Sequence, residues 1–161
     1  MASNVPIIRQ IAWISTIPHI LIIGLLIYIY RFLGSTQPII WGALTMLLLS
    51  FGLKALIVKQ HLQGIDLVKQ QKFAEAIPYF ERSVAYFSKN AWIDKYRFLT
   101  LLSSSKMGYR EMGLCNIAFC YGQIGNGAKA KTVYQQVLNE YPDNGLAGLA
   151  LNMLNSVDKN D

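Results

Sequence analysis

Two long apolar runs open the chain, and helical periodicity takes over after them. Residues 11–30 (IAWISTIPHILIIGLLIYIY) hold twenty positions without a charge, enough for a helix across about 30 Å of hydrocarbon. Residues 38–58 (PIIWGALTMLLLSFGLKALIV) are as long, and their one charge, Lys54, lies about a turn from the end, where its stem can reach the interface. The polar turn RFLGSTQ between them predicts an antiparallel transmembrane hairpin over residues 1–58. From residue 59 apolar positions recur with helical spacing to the end of the chain, so the fold class is all-α, with a helical domain over 59–161.

Two sets of positions in that domain step in register. Gly64, Leu67, Gln71, Ala76, Phe80, Val84 and Ser88 are spaced like Ala118, Tyr121, Gly125, Ala130, Tyr134, Leu138 and Pro142. Small residues (Gly64 with Ala76, Ala118 with Ala130) let two antiparallel helices approach closely. The larger Phe80 or Tyr134, one turn on, fills the space beside that contact. Gly125 can adopt positive φ and end the first helix of a hairpin, and Pro142 ends the second. Pro78 is tolerable in or near the first turn of its helix, where N–H groups lack partners anyway.

The stretch NIAFCYGQIGNGAKAKTVYQQVLNEYP resembles a tetratricopeptide repeat, and GIDLVKQQKFAEAIPYFERSV resembles the same motif. The resemblance covers about 70 residues, in repeats at about 58–90 and 108–143. The first departs from the family pattern at Gln60 and Gln63, usually large and apolar, at Gln71, usually Gly, and at Ser88, usually Pro. The ladders are 54 residues apart, whereas the family period is about 34. The surplus forms an extra helical segment at 91–107. Helix parity predicts that the second hairpin helix runs on from about Ala74 to about Leu102, with the next helix starting near Lys106. LAGLALNML predicts a capping helix at 145–156. Because the first repeat helix should begin where the second span ends, one unbroken helix is expected from Pro38 to Gln70.

Charge adds topology. No Asp or Glu precedes Asp66, and the first 58 residues carry only Arg9, Arg31 and Lys54. Trp13, Tyr28, Tyr30 and Trp41 sit near the run ends, as interfacial aromatics do. Lys54, Lys59, Lys69 and Lys72 follow the second span, against Arg31 alone in the turn, so the positive-inside rule puts both termini in the cytoplasm. The expected location is an inner or plasma membrane, and those four lysines are expected to meet anionic lipid. A cleaved signal peptide fits poorly: the first run is too long, one Arg precedes it, and no A-x-A site follows. The isoelectric point near 9.4 does not imply nucleic acid, since the basic residues form no stripe.

Chemistry is sparse. His19, near the middle of the first span, is a functional candidate by its position; the alternative is a neutral imidazole bonded to the other span or to a carbonyl freed by Pro18. Cys115 and Cys120 lie about 140° apart around one helix and read as small buried apolar residues. There is no phosphate loop, nucleophile elbow, HExxH or carboxylate pair, so neither catalysis, metal nor cofactor is expected.

The resemblance implies a protein or peptide partner held in the groove lined by the first helix of each hairpin. Its residues here would be His61, Ile65, Val68, Lys69, Met112, Cys115, Phe119 and Gln123. Members that bind chaperones grip a C-terminal carboxylate with Lys and Asn; only Asn116 matches, so that activity is not expected. Two repeats are fewer than a solenoid usually needs to cover its faces, which leaves the central hairpin, self-association (a homo-oligomer) or a partner to do so. The reading is a membrane-anchored interaction module or scaffold. Its alternative is an accessory subunit of a membrane transport or enzyme complex in which the spans carry the main contacts.

Overall fold

A computed structural model describes residues 16–157, which form helices and connecting turns with no strand. They fall into two compact units, residues 16–57 with 95–108 and residues 58–94 with 109–157.

In the first unit, α1 (Thr16–Phe32) packs against α2 (Pro38–Ile57). Gly34 reverses the chain at φ +78, with Gly34 N–H donating to the Arg31 carbonyl and Ser35 N–H to that of Tyr30, the paired bonds of a Schellman end. The helices approach closely at Gly42, where an added Cβ would stand 2.9 Å from Ile27 Cγ1. The Tyr30 hydroxyl is bonded to Thr45 Oγ1 at 2.8 Å. Apart from Gly42, neither helix has a buried residue, and large apolar side chains such as Leu21, Leu25, Leu47 and Phe51 are exposed. Among the described residues, α2 is the one helix long and apolar enough to cross a membrane; α1 is shorter than that. Residues 11–15 of the first apolar run, with Trp13, lie outside the described residues, as does Arg9.

The second unit holds α3 (Lys59–Lys69), α4 (Phe73–Lys89), the short α5 (Ala91–Lys95, of which Ala91–Asp94 belong here), α7 (Tyr109–Gln123), α8 (Gly127–Glu140) and α9 (Gly145–Val157). Consecutive helices pack in turn: α3 on α4, α4 on α7, α7 on α8, α8 on α9. A helix covered on one side needs one apolar stripe, and α3 buries His61, Gly64 and Val68 on a single face. α7 lies between α4 and α8, so it buries Tyr109, Gly113, Leu114, Cys115, Ile117, Ala118 and Cys120 on several sides. The core joins Val68, Ala76, Ile77 and Phe80 to Ile117 and Cys120.

Several local expectations change. The helix from the second apolar run does not pass unbroken into the first repeat: Val58, at φ −97 and ψ 8, leaves helical geometry and caps α3. The second hairpin helix ends at Lys89 and not near Leu102. The Ser88 hydroxyl and the Asn90 amide donate to the carbonyls of Val84 and Tyr86, competing with the backbone ladder where the helix stops. Beyond it come α5 and α6 (Arg97–Thr100), then irregular chain to Tyr109, where the next helix starts three residues later than expected. Residues 95–108 belong to the first unit, with α6 packed on α1, although the sequence pattern assigns them to the helical domain. Pro78 sits at the sixth position of α4, exposed, and the helix continues through it.

Candidate partner-binding groove

The two hairpins α3–α4 and α7–α8 repeat one another residue by residue. Ala76 and Ala130 are both fully buried, and Phe80 and Tyr134 follow them, also buried. The Phe80 ring lies so near Gly64 that a Cβ there would stand 2.7 Å from it, so only glycine fits without displacing the ring. In the second hairpin a Cβ on Gly122 would stand 4.0 Å from the Ala130 Cβ. Both first helices end with a residue at positive φ, Gly125 at +78 and Gln71 at +60. The closing bonds are the same pair. Gln71 N–H donates to Val68 and Lys72 N–H to Leu67; Gly125 N–H donates to Gly122 and Asn126 N–H to Tyr121. Gln71 therefore adopts the conformation that its counterpart reaches as glycine.

The residues expected to line the groove divide by exposure. His61, Val68 and Cys115 are buried, Ile65, Met112 and Phe119 are half-buried, and Lys69 and Gln123 are exposed. Val68 belongs to the core, and Ile65 and Phe119 pack against it. Lys69 is ion-paired with Asp66 at 2.9 Å on the surface. His61 lies 5.4 Å from the Phe80 ring and 5.5 Å from the Tyr109 ring, edge-on to both, with Nδ1 3.5 Å from the Ser83 hydroxyl. Burial lowers its pKa to about 4, so the imidazole is neutral at physiological pH. Burial also pushes the Cys115 and Cys120 thiols up to about 12, which leaves both inert. His19 Nε2 is buried with no hydrogen-bond partner among the described residues.

Three polar residues that the sequence reading did not single out hold this unit together. Asp94, nearly buried, accepts from Tyr109 N–H at 2.7 Å and Arg110 N–H at 2.9 Å, placing a carboxylate at the start of α7. Asn144 caps α9 by accepting from Ala147 N–H at 2.8 Å, while its amide donates to Glu111 Oε1 at 2.9 Å and toward Cys115 Sγ at 3.5 Å. Arg110 donates to the Ser88 hydroxyl at 2.7 Å, to the Tyr141 hydroxyl at 3.0 Å and to Glu140, joining α4, α7 and the end of α8. Its guanidinium holds the Glu140 carboxyl below the usual carboxylate range. Asn144 was findable, because an Asn followed by an apolar helix is a capping signal. Asp94 was not, since its targets lie fifteen and sixteen residues away.

A concavity of about 450 Å³ is lined by residues of α4, α7 and α8. Its lining is mostly apolar, with Val84, Leu114, Tyr121 and Val133, and includes Glu81 and Lys129. No group of three or more His, Cys, Asp or Glu side chains is arranged to hold a metal ion among the described residues.

Residues 114–144 match the family model of the tetratricopeptide repeat. That match covers most of α7, all of α8 and the turn between them. It supports protein partners in general for this chain. Neither curated proteins nor solved structures give a match.

Proposed function

We propose that this chain is a membrane-anchored protein-interaction module. The α1–α2 hairpin spans the bilayer, and the repeat unit binds a protein or peptide on the face shared by α3 and α7. The observation that carries this reading is the equivalence of the two hairpins, down to positive φ at Gln71 and Gly125, with the family match over the second. The membrane part is supported by the exposed apolar surface of α1 and α2 and by the absence of any Asp or Glu before Asp66. Charge along the chain favours both termini and the repeat unit in the cytoplasm, at an inner or plasma membrane. Lys54, Lys59, Lys69 and Lys72 then lie where anionic lipid can reach them, with Lys69 shared with Asp66.

Within the expected groove row, the side chains a partner can touch are Ile65, Lys69, Met112, Phe119 and Gln123. An amphipathic helix or extended peptide presenting apolar anchors fits such a surface. The test compares full-length wild type with Ile65→Glu/Met112→Glu, each purified in mild detergent and analysed by mass spectrometry. The groove reading expects specific partners on the wild type and their loss from the double variant, with helical content unchanged. Identical partners on both contradict it. Partners lost only when an unrelated transmembrane hairpin replaces residues 1–57 would favour the accessory-subunit reading instead.

A further inference from the structure

The segment inserted between the two repeats carries the charge signature of the membrane hairpin. Among the described residues, all seven Asp and Glu fall in the unit formed by residues 58–94 and 109–157. The other unit, residues 16–57 with 95–108, has none, while it carries Arg31, Lys54, Lys95, Arg97 and Lys106. This division by packing is therefore also a division by charge. In the same unit α6 packs on α1, one of the two apolar helices of the hairpin.

The segment is internally ordered. Arg97 donates from Nε to the Ser105 carbonyl at 3.0 Å and from its other end to that of Lys106. Ser103 N–H returns to the Arg97 carbonyl at 3.0 Å, and the Ser105 hydroxyl donates to Met107. Leu101 and Leu102 are buried, the latter at φ +46, while Tyr96 and Leu99 are 45% and 50% exposed. Lys95 stands over the Tyr96 ring, 5.6 Å from its centre, and Lys106 is exposed. An amphipathic ring, a bare leucine and two exposed lysines suit the headgroup layer of a bilayer.

We propose that residues 95–108 form an interfacial membrane segment, resting on the headgroups of an anionic bilayer through Tyr96 and Leu99, with Lys95 and Lys106 against lipid phosphates. The proposal rests on the membrane reading of the hairpin and adds a second contact to it. Depth follows from backbone chemistry. Irregular chain cannot face hydrocarbon, because its N–H and C=O groups would go unpaired there. A segment with irregular backbone that packs on a spanning helix therefore lies at the level of that helix's end. Anionic lipid is the occupant because the segment carries Lys95, Arg97 and Lys106 and no acid of its own, and anionic headgroups attract such a surface within a Debye length.

The test uses full-length protein in vesicles containing phosphatidylglycerol, with a nitroxide at Leu99→Cys or, separately, at Leu47→Cys, an exposed position in α2. Cys115 and Cys120 stay unlabelled because both are buried. Power saturation with oxygen and a water-soluble nickel reagent then reads the depth of each label. The proposal expects Leu47 in hydrocarbon and Leu99 at headgroup depth, with Leu99 moving outward in purely zwitterionic vesicles. Leu47 in hydrocarbon with Leu99 in water overturns the interfacial segment and leaves the spanning hairpin standing; equal Leu99 depth in both lipids overturns the assignment of anionic lipid as its occupant. Leu47 in water overturns the membrane reading and this inference with it.

Discussion

Replacing His61 by Phe should remove a specific part of the pH dependence of stability. The imidazole is buried among Phe80, Tyr109 and Ser83, and its only perturbation is loss of water, which lowers its pKa from 6.5 to about 4. The unfolded chain then binds a proton that the folded chain refuses. Stability is complete above about pH 6.5, falls as pH drops toward 4, and levels off below that. The full difference is about 3 kcal/mol, and at about pH 5 the loss is already about 2 kcal/mol. Carboxylates, Glu140 among them, also titrate near the lower end, so the quantity to compare is the change between neutral pH and about pH 5 in wild type minus that in His61→Phe. Phe keeps the ring packing and cannot titrate. Near-UV circular dichroism of the full chain in mild detergent follows the melt, and a unit of this size should shift by about 4–8 °C per kcal/mol. Equal pH dependence in the two proteins would refute the buried neutral imidazole.

Gln71→Gly should stabilise the first hairpin by up to about 1 kcal/mol, because glycine takes positive φ without the Cβ penalty; a destabilised variant in the same thermal scan would mean that Gln71 is not left-handed. Asp94→Ala should cost about 1–3 kcal/mol by removing the carboxylate that accepts from the Tyr109 and Arg110 N–H groups at the start of α7. Hydrogen exchange should show that loss as faster exchange at those amides, and unchanged protection would contradict it. Ala130→Leu should overpack the α7–α8 contact at about 1–3 kcal/mol, visible as a lower melting temperature, and a neutral result would remove Ala130 from that interface.

The hairpins were legible because their signals are local. Small residues at Gly64, Ala76 and Ala130, rings at Phe80 and Tyr134 and the turn at Gly125 all act within one or two helical turns. Gln71 shows the limit: the ladder marked its position, but only the backbone shows that Gln takes glycine's place there. Less legible was whatever depends on a distant neighbour. Helical spacing assigns an angle around an axis without saying what covers it, which is why the row containing His61 and Cys115 mixes buried with exposed side chains. The end of α4 at Lys89 and the bend at Val58 each turn on one or two residues inside a continuous apolar pattern. The packing of α6 on α1 joins segments more than sixty positions apart, beyond the reach of any periodicity.

The central claim, that the α1–α2 hairpin carries this chain through a bilayer with the repeat unit inside, has a direct test in cysteine accessibility on intact cells. Thr36→Cys lies in the exposed turn between α1 and α2, and Ser156→Cys lies exposed near the end of α9. The native Cys115 and Cys120 give no background, being buried with thiols pushed up to about 12. A membrane-impermeant maleimide should label residue 36 from outside the cell and label residue 156 only after lysis. Labelling of residue 156 from outside, or of neither residue until the cells are broken, would contradict the account.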